Sequence, residues 1–237
     1  MEALLFVMVL TLAAGLAMPL GAWLTAAPFL QHPWFREQGR HSVLAFGCGT
    51  LLAAVVFVLI PGGTEKLTPF VAFFCFCSGG LFFMYLDRLL NRINTPASQL
   101  CAMIADFVPE SLALGAAFVY SRESGLLLAG LMALQNLPEG FSSEVELTSR
   151  GTVSRKKALL MFSLMPFLGP ICGAIGYLWL SDMPVIVGMV MLISSGGILY
   201  SVVQDLAPQA RLDKHWLPTW WAVLGFALGL LGHMMIH

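Results

Sequence analysis

The sequence predicts an all-α integral membrane protein with eight transmembrane helices. Of its 237 residues, 58% are hydrophobic and 11% are charged, and the mean hydropathy is +0.83. Soluble domains carry about 25% charged residues, so a soluble fold of this composition would expose large apolar patches. The apolar residues also form runs long enough to cross a bilayer, and most basic residues lie between alternate runs. These observations place the chain in a membrane.

The eight helices are predicted from apolar runs, because a transmembrane helix needs about 20 mostly apolar residues. The predicted spans are 3–25, 42–61, 68–90, 99–120, 124–146, 157–180, 183–206 and 217–236. The first run follows Met1-Glu2 without a basic segment, and its length suits an uncleaved spanning helix better than a signal peptide. None of the runs alternates as a barrel strand would. We expect residues 1–237 to form one transmembrane domain.

The charges of the connections predict the orientation. Ten Lys and Arg residues lie in or beside the connections after spans 1, 3, 5 and 7, whereas Lys66 and Arg122 are the only two in the other connections. Basic connections remain in the cytoplasm. Both termini are therefore expected outside, on the periplasmic or extracellular face.

Several classes of protein are disfavoured. The net charge of −1 gives no reason to expect a nucleic-acid partner, and no GxxxxGK[ST] segment for ATP is present. The five cysteines lie in or beside apolar runs without CxxC spacing. We expect them to be buried small apolar residues rather than disulfides or metal ligands.

Two of the spans contain acidic residues. Asp106 and Glu110 stand four residues apart in the fourth span, and Gln135 and Glu139 do the same in the fifth. Residues with this spacing share one face of a helix. A charged side chain at the bilayer centre costs about 2.5–3.5 kcal/mol. No Lys or Arg lies deep in a span to compensate, so a bound cation or bound protons are expected.

A proline precedes each of these glutamates. Pro109 and Pro138 should each free the carbonyl four residues earlier, at Ala105 and Leu134. Oxygen ligands from two such helices would form a cation site near the midplane. The alternative is that these polar residues only join the helices through hydrogen bonds.

This duplicated pattern resembles the ZIP (Zrt/Irt-like) family of divalent-metal transporters, in a divergent bacterial-type form. The family motif on helix 5 is present almost whole as QNLPEG at residues 135–140, and the helix 4 motif is present with changes as DFVPES at 106–111. Weaker similarities, such as GGILYSVVQDLAPQA in the seventh span, follow in the family's order. The resemblance implies eight spans with both termini outside.

The resemblance also implies the ligands. The main metal site would consist of Asp106, Glu110, Gln135 and Glu139, with Asp106 at a position that is usually His. A second, adjacent site would use the same two glutamates and Asn136, together with an Asn and a Glu at positions that here hold Phe107 and Gly169. Because two of its ligands are missing, we expect one metal site, with the Phe filling part of the lost one.

Asp205 replaces a Glu that is usual in the family's seventh helix. It would receive the ion on its way to the cytoplasm, with an interfacial helix-end role as the alternative. Spans 1–3 and 6–8 are expected to form an inverted repeat around the 4–5 pair. Ten glycines would let the helices pack closely and slide: Gly15, Gly21, Gly49, Gly79, Gly80, Gly173, Gly176, Gly225, Gly229 and Gly232.

We therefore expect transport of divalent transition-metal cations into the cytoplasm, with Zn²⁺, Mn²⁺ or Fe²⁺ as substrate and no prosthetic group. An all-oxygen site favours Mn²⁺ or Fe²⁺ more than a His-containing one does. The alternatives are a transport-inactive sensor or partner protein and an intramembrane metalloenzyme. The bilayer and metal ions are the expected partners, with a second copy of the chain as a further candidate. The compact form fits a bacterial inner membrane.

Overall fold

Eight long helices make up most of the chain. The computed structural model describes residues 2–27, 35–93, 96–149, 153–180, 182–213 and 215–236, and these contain no strand. The helices are α1 Glu2–Leu24, α2 Arg40–Thr64, α3 Pro69–Ile93, α4 Pro96–Tyr120, α5 Arg122–Ser149, α6 Arg155–Leu180, α7 Pro184–Ala210 and α8 Leu217–Ile236. Each predicted span coincides with one helix, and the ends agree within about one turn. Arg150 and Lys214, used to predict the orientation, lie outside the described residues.

The helix α5 is the most polar of the eight. In the described part of the chain, seven helices are long and apolar enough to cross a membrane, and α5 falls short. In its middle and second half, Gln135, Asn136, Ser142 and Glu144 are buried against other helices and do not face lipid. These polar side chains are therefore shielded from lipid, which explains how α5 can span the membrane despite its polar content.

The central helices α4 and α5 continue through their internal prolines, Pro109 and Pro138, without interruption. Irregular turns occur in other helices. Widened π turns lie at Val55–Leu59 in α2, Gly176–Leu180 in α6 and Val202–Leu206 in α7. Such turns are frequent at functional sites, and the last one contains Asp205.

The helices associate in four principal pairs, α1 with α5, α4 with α6, α2 with α8 and α3 with α7. Exchanging helices 1, 2 and 3 with 6, 7 and 8, and helix 4 with helix 5, converts these pairs into one another. Consecutive membrane-spanning helices alternate in direction. The exchange relates helices that are five positions apart in the chain, an odd number, so equivalent helices run in opposite directions. This pairing is the one that the predicted inverted repeat requires.

Each principal pair crosses at two glycines, one from each helix. Each glycine faces a backbone carbonyl of the partner helix so closely that a Cβ atom would overlap the oxygen. In every pair, the carbonyl that a helix presents lies three residues before that helix's own glycine. The glycine pairs are Gly21–Gly140, Gly115–Gly176, Gly49–Gly225 and Gly79–Gly196. Close backbone approach at small residues is the usual means of helix association in membranes.

The pairs assemble into two units of four helices. The first unit contains α1, α4, α5 and α6, and the second unit contains α2, α3, α7 and α8. Further contacts of α2 with α5 and of α4 with α7 join the two units. Because α4 and α5 lie together in the first unit, the acidic residues of both predicted motifs belong to the same packed group of helices.

Candidate metal centre

Glu110 on α4 and Gln135 on α5 meet inside the first unit. The Nε2 atom of Gln135 donates a hydrogen bond of 2.7 Å to each of the two carboxylate oxygens of Glu110. Glu110 is 0% exposed and Gln135 is 2% exposed. The pairing joins one residue from each predicted motif across the two central helices.

Two buried oxygen atoms at this site, one on Gln135 itself and one on Asp106, have no hydrogen-bond donor. Within the described residues, neither Oδ1 of Asp106 nor Oε1 of Gln135 takes part in a hydrogen bond, although both atoms are buried. A buried polar atom without a partner is costly and requires an explanation. Both atoms are oxygens of the type that hard divalent cations accept as ligands.

The groups that act electrostatically on Asp106 are all carboxylates, namely Glu139, Glu110 and Asp205. Like charges this close repel one another when ionised, and either protons or a cation can relieve the repulsion. In the described chain, no three His, Cys, Asp or Glu side chains are already arranged to hold one metal ion. In this arrangement Glu110 is instead held by the amide of Gln135.

Asn136 serves the packing of α5 on α1. Its Nδ2 atom donates a hydrogen bond of 2.9 Å to the carbonyl oxygen of Ala14, and the residue is 1% exposed. This bond lies one residue from Gln135 and one turn from the close approach of Gly140 to Met18. The amide nitrogen of Asn136 therefore fixes the orientation of α5 relative to α1.

The ring of Phe107 fills a space between three helices. Phe107 is 1% exposed, and its Cζ atom lies 2.8 Å from where a Cβ on Gly15 would stand and 3.0 Å from a Cβ on Gly169. Any side chain on α1 or α6 at these two positions would collide with the ring. The two departures from the family motif are therefore complementary in shape, with the aromatic ring against the missing side chain.

Asp205 interacts electrostatically both with this centre and with a second acidic group. It acts on Asp106, and it is itself influenced by Asp87 on α3 and Glu146 on α5. The hydroxyl group of Tyr200 donates to Oδ2 of Asp87 at 3.3 Å. Glu146 was not among the residues predicted from the sequence, although its position seven residues after Glu139 places both residues on one face of α5 and was a usable signal.

Glu144, a buried carboxylate on the same helix, has a different environment. Its Oε1 atom lies 3.5 Å from Nε of Arg155, and Arg155 also donates 3.0 Å to Oγ1 of Thr25. An ion pair therefore compensates the charge of Glu144. The five cysteines are free thiols; Cys48 and Cys172 are buried, whereas Cys75 is half-buried and Cys77 and Cys101 are exposed, so the expectation of buried residues holds for two of them.

The chain matches the family model of the ZIP zinc transporters over residues 95–232, more than half of its length and including every candidate ligand. No curated protein matches the chain. Members of the family are transporters of divalent metal cations rather than enzymes, and the apolar helices make this chain a multi-pass membrane protein. The chain belongs to the ZIP family of divalent metal cation transporters.

Proposed function

We propose that this protein carries divalent transition-metal ions into the cytoplasm through one metal site between α4 and α5. The ligands are Asp106, Glu110, Gln135 and Glu139. The observation that carries the proposal is the pair of buried, donor-free oxygens at Asp106 and Gln135 beside the carboxylate of Glu110. A cation between the two helices gives these oxygens a partner and screens the repulsion among the acidic groups.

Metal binding requires the Gln135 amide to release Glu110. Both carboxylate oxygens of Glu110 then become available, and rotation of the amide presents Oε1 rather than Nε2. Ligands must be deprotonated to bind a metal, so protons leave as the ion enters. Asn136 remains on Ala14 and acts as an auxiliary residue that orients α5.

A single metal ion is expected because neither Phe107 nor Gly169 has a side-chain oxygen where a second ion would need a ligand. The packing of the Phe107 ring supports this reading, since the ring occupies the space next to the ligands. An all-oxygen set is harder than one with imidazole, and the preference among ions is predicted to shift toward Mn²⁺ or Fe²⁺. Zn²⁺ also binds oxygen sites well, so the preference should be shallow.

Release is proposed to follow the acidic residues on the cytoplasmic side. Asp205 acts electrostatically on Asp106, and Asp87 and Glu146 act in turn on Asp205. The positive-inside pattern of the sequence supports a cytoplasmic location for this end of the molecule, with both termini on the periplasmic or extracellular face. The proposed location is a bacterial inner membrane.

The test is metal uptake by the full chain in proteoliposomes. We expect uptake of Mn²⁺ and Fe²⁺ at least equal to that of Zn²⁺ and Cd²⁺, and its loss in Glu139→Ala. Uptake that survives Glu139→Ala would contradict a route through this site. No uptake by correctly inserted wild-type protein would favour a sensor or partner role, and turnover of a lipid or peptide would favour an enzyme.

A further inference from the structure

Lys66 and Arg122, the two basic residues of the predicted outer connections, both lie against aromatic rings. The Nζ atom of Lys66 is 4.0 Å from the centre of the Tyr120 ring. The Cζ atom of Arg122 is 5.1 Å from the centre of the Phe6 ring and 6.0 Å from that of Phe118. These are cation–π distances. Tyr120 is the last residue of α4, the helix that carries two of the proposed ligands.

The two contacts differ in what they join. Arg122 begins α5, and its rings belong to α1 and α4, so this contact lies within the first unit. Lys66 belongs to the connection between α2 and α3, so its contact with Tyr120 links the second unit to the first. Two positively charged residues on the same predicted face thus differ: Arg122 makes its contact inside one unit, and Lys66 makes its contact between the units.

The connection that carries Lys66 is itself fixed to α7. A Cβ atom on Gly188 would lie 3.0 Å from the carbonyl oxygen of Gly63, 3.1 Å from Cγ of Leu67 and 3.2 Å from Cβ of Lys66. The Gly63 carbonyl on one side of Lys66, the Leu67 side chain on the other and the Lys66 Cβ itself therefore all pack against α7, in the second unit. Burial lowers the pKa of the Lys66 ammonium group, and the neighbouring Glu65 carboxylate opposes that shift. Partial desolvation strengthens the attraction of the ammonium group to the ring.

We propose that Lys66 is a positioning residue for metal transport, which holds the end of α4 against the second unit through the ring of Tyr120. This contact keeps the entry face closed in the arrangement described above, in which Gln135 binds Glu110. The inference rests on the proposed function and on the orientation that places residues 65–68 outside. Loss of the contact favours separation of the α4 end from the second unit. The open arrangement is then more populated, and a lower external metal concentration is enough to fill the site.

The experiment is Mn²⁺ uptake by proteoliposomes as a function of external concentration. Lys66→Met and Tyr120→Leu should each lower the half-saturating concentration about two- to fivefold, the population change that an exposed cation–π contact supports. The maximal rate should change less. The double variant should show no larger effect than either single one, because both substitutions break the same contact. Lys66→Arg keeps a cation over the ring and should behave as wild type.

Arg122→Met is the matched control, since it removes a positive charge from the same face without breaking a contact between units. It should leave the half-saturating concentration unchanged. If Lys66→Met and Arg122→Met lower it equally while Tyr120→Leu has no effect, repulsion of the entering ion explains the result and the inference is overturned. Unchanged or higher values for both Lys66→Met and Tyr120→Leu overturn it as well.

A second readout does not depend on transport. A membrane-impermeant amine reagent, with peptide-resolved detection, should label Lys66 more slowly in wild type than in Tyr120→Leu, because the ring covers the ammonium group. Equal labelling rates would show that the contact is absent. Failure of the proposed function is separately visible, as absent wild-type uptake or as uptake that survives Glu139→Ala.

Discussion

The amide nitrogen of Gln135 on α5 lies 2.7 Å from both carboxylate oxygens of Glu110 on α4. Two proposed ligands of one ion are therefore hydrogen-bonded to each other in this arrangement. The bond also joins the two central helices at a depth where lipid offers no polar partner. In the proposed mechanism, a metal ion would have to displace this bond before it could use either residue as a ligand.

Gln135→Met should weaken Mn²⁺ binding. Methionine has a similar length but supplies neither the donor to Glu110 nor the oxygen to the ion. We expect the dissociation constant to rise by at least about tenfold, the scale seen when groups around a metal are removed. Equilibrium titration of the purified protein measures it. Leu134→Ala, a neighbouring residue that is 39% exposed, is the control, and an unchanged constant in Gln135→Met would contradict its role as a ligand.

Asp106→His should shift the preference of the site toward Zn²⁺ and Cd²⁺. An imidazole nitrogen replaces a carboxylate oxygen, and imidazole favours Zn²⁺ more than Mn²⁺. The measurement is competition of Zn²⁺ and Cd²⁺ against Mn²⁺ uptake. A competition profile identical to that of the wild type would mean that Asp106 does not contact the ion.

Phe107→Ala should reduce stability without adding a metal ion. Truncation of a buried phenylalanine costs about 3–5 kcal/mol, because a cavity remains where the ring stood. Phe162, which is 0% exposed on α6, is the matched residue, and Phe162→Ala should lower the midpoint of thermal unfolding to a similar extent. Metal content should stay at one ion per chain, since Gly169 still lacks a side chain. A second bound ion in Phe107→Ala would show that the ring alone blocks a complete site.

Gly79→Ala should lower the thermal stability, whereas Gly130→Ala should leave it unchanged. A Cβ on Gly79 would overlap the carbonyl oxygen of Ile193 across the α3–α7 crossing, whereas a Cβ on Gly130 would meet no described atom within 4 Å. Overpacking of this kind costs about 1–3 kcal/mol or more. Thermal unfolding in detergent should show a lower midpoint for Gly79→Ala only. Equal midpoints would contradict the close glycine crossing.

The sequence predicted the helices well because one property determines them. Spanning helices require long apolar runs, so hydropathy located all eight within about one turn, including α5 despite its polar residues. The π turns at Val55–Leu59 and Val202–Leu206 were not predicted, since a widened turn depends on packing rather than on local composition.

Pairing of the helices could not be read from one chain. Gly21, Gly49 and Gly79 were expected to permit close packing, and each meets a partner carbonyl. Gly140 and Gly196 perform the same role and were not selected, because the chain alone does not say which helices cross at a glycine. In the candidate site, the Pro-Glu motifs indicated that Glu110 and Gln135 belong together. The bond from Asn136 to Ala14 joins residues far apart in sequence and had no signal.

The central claim is that the carboxylates of α4 and α5 bind one ion, and metal content tests it most directly. Purified protein equilibrated with Mn²⁺ should contain one tightly bound ion per chain, and Glu139→Gln should contain none. Glu144→Gln is the control, since Glu144 is a buried carboxylate on the same helix that pairs with Arg155, and this variant should keep its ion. Two ions in the wild type, or an undiminished ion in Glu139→Gln, would contradict the account.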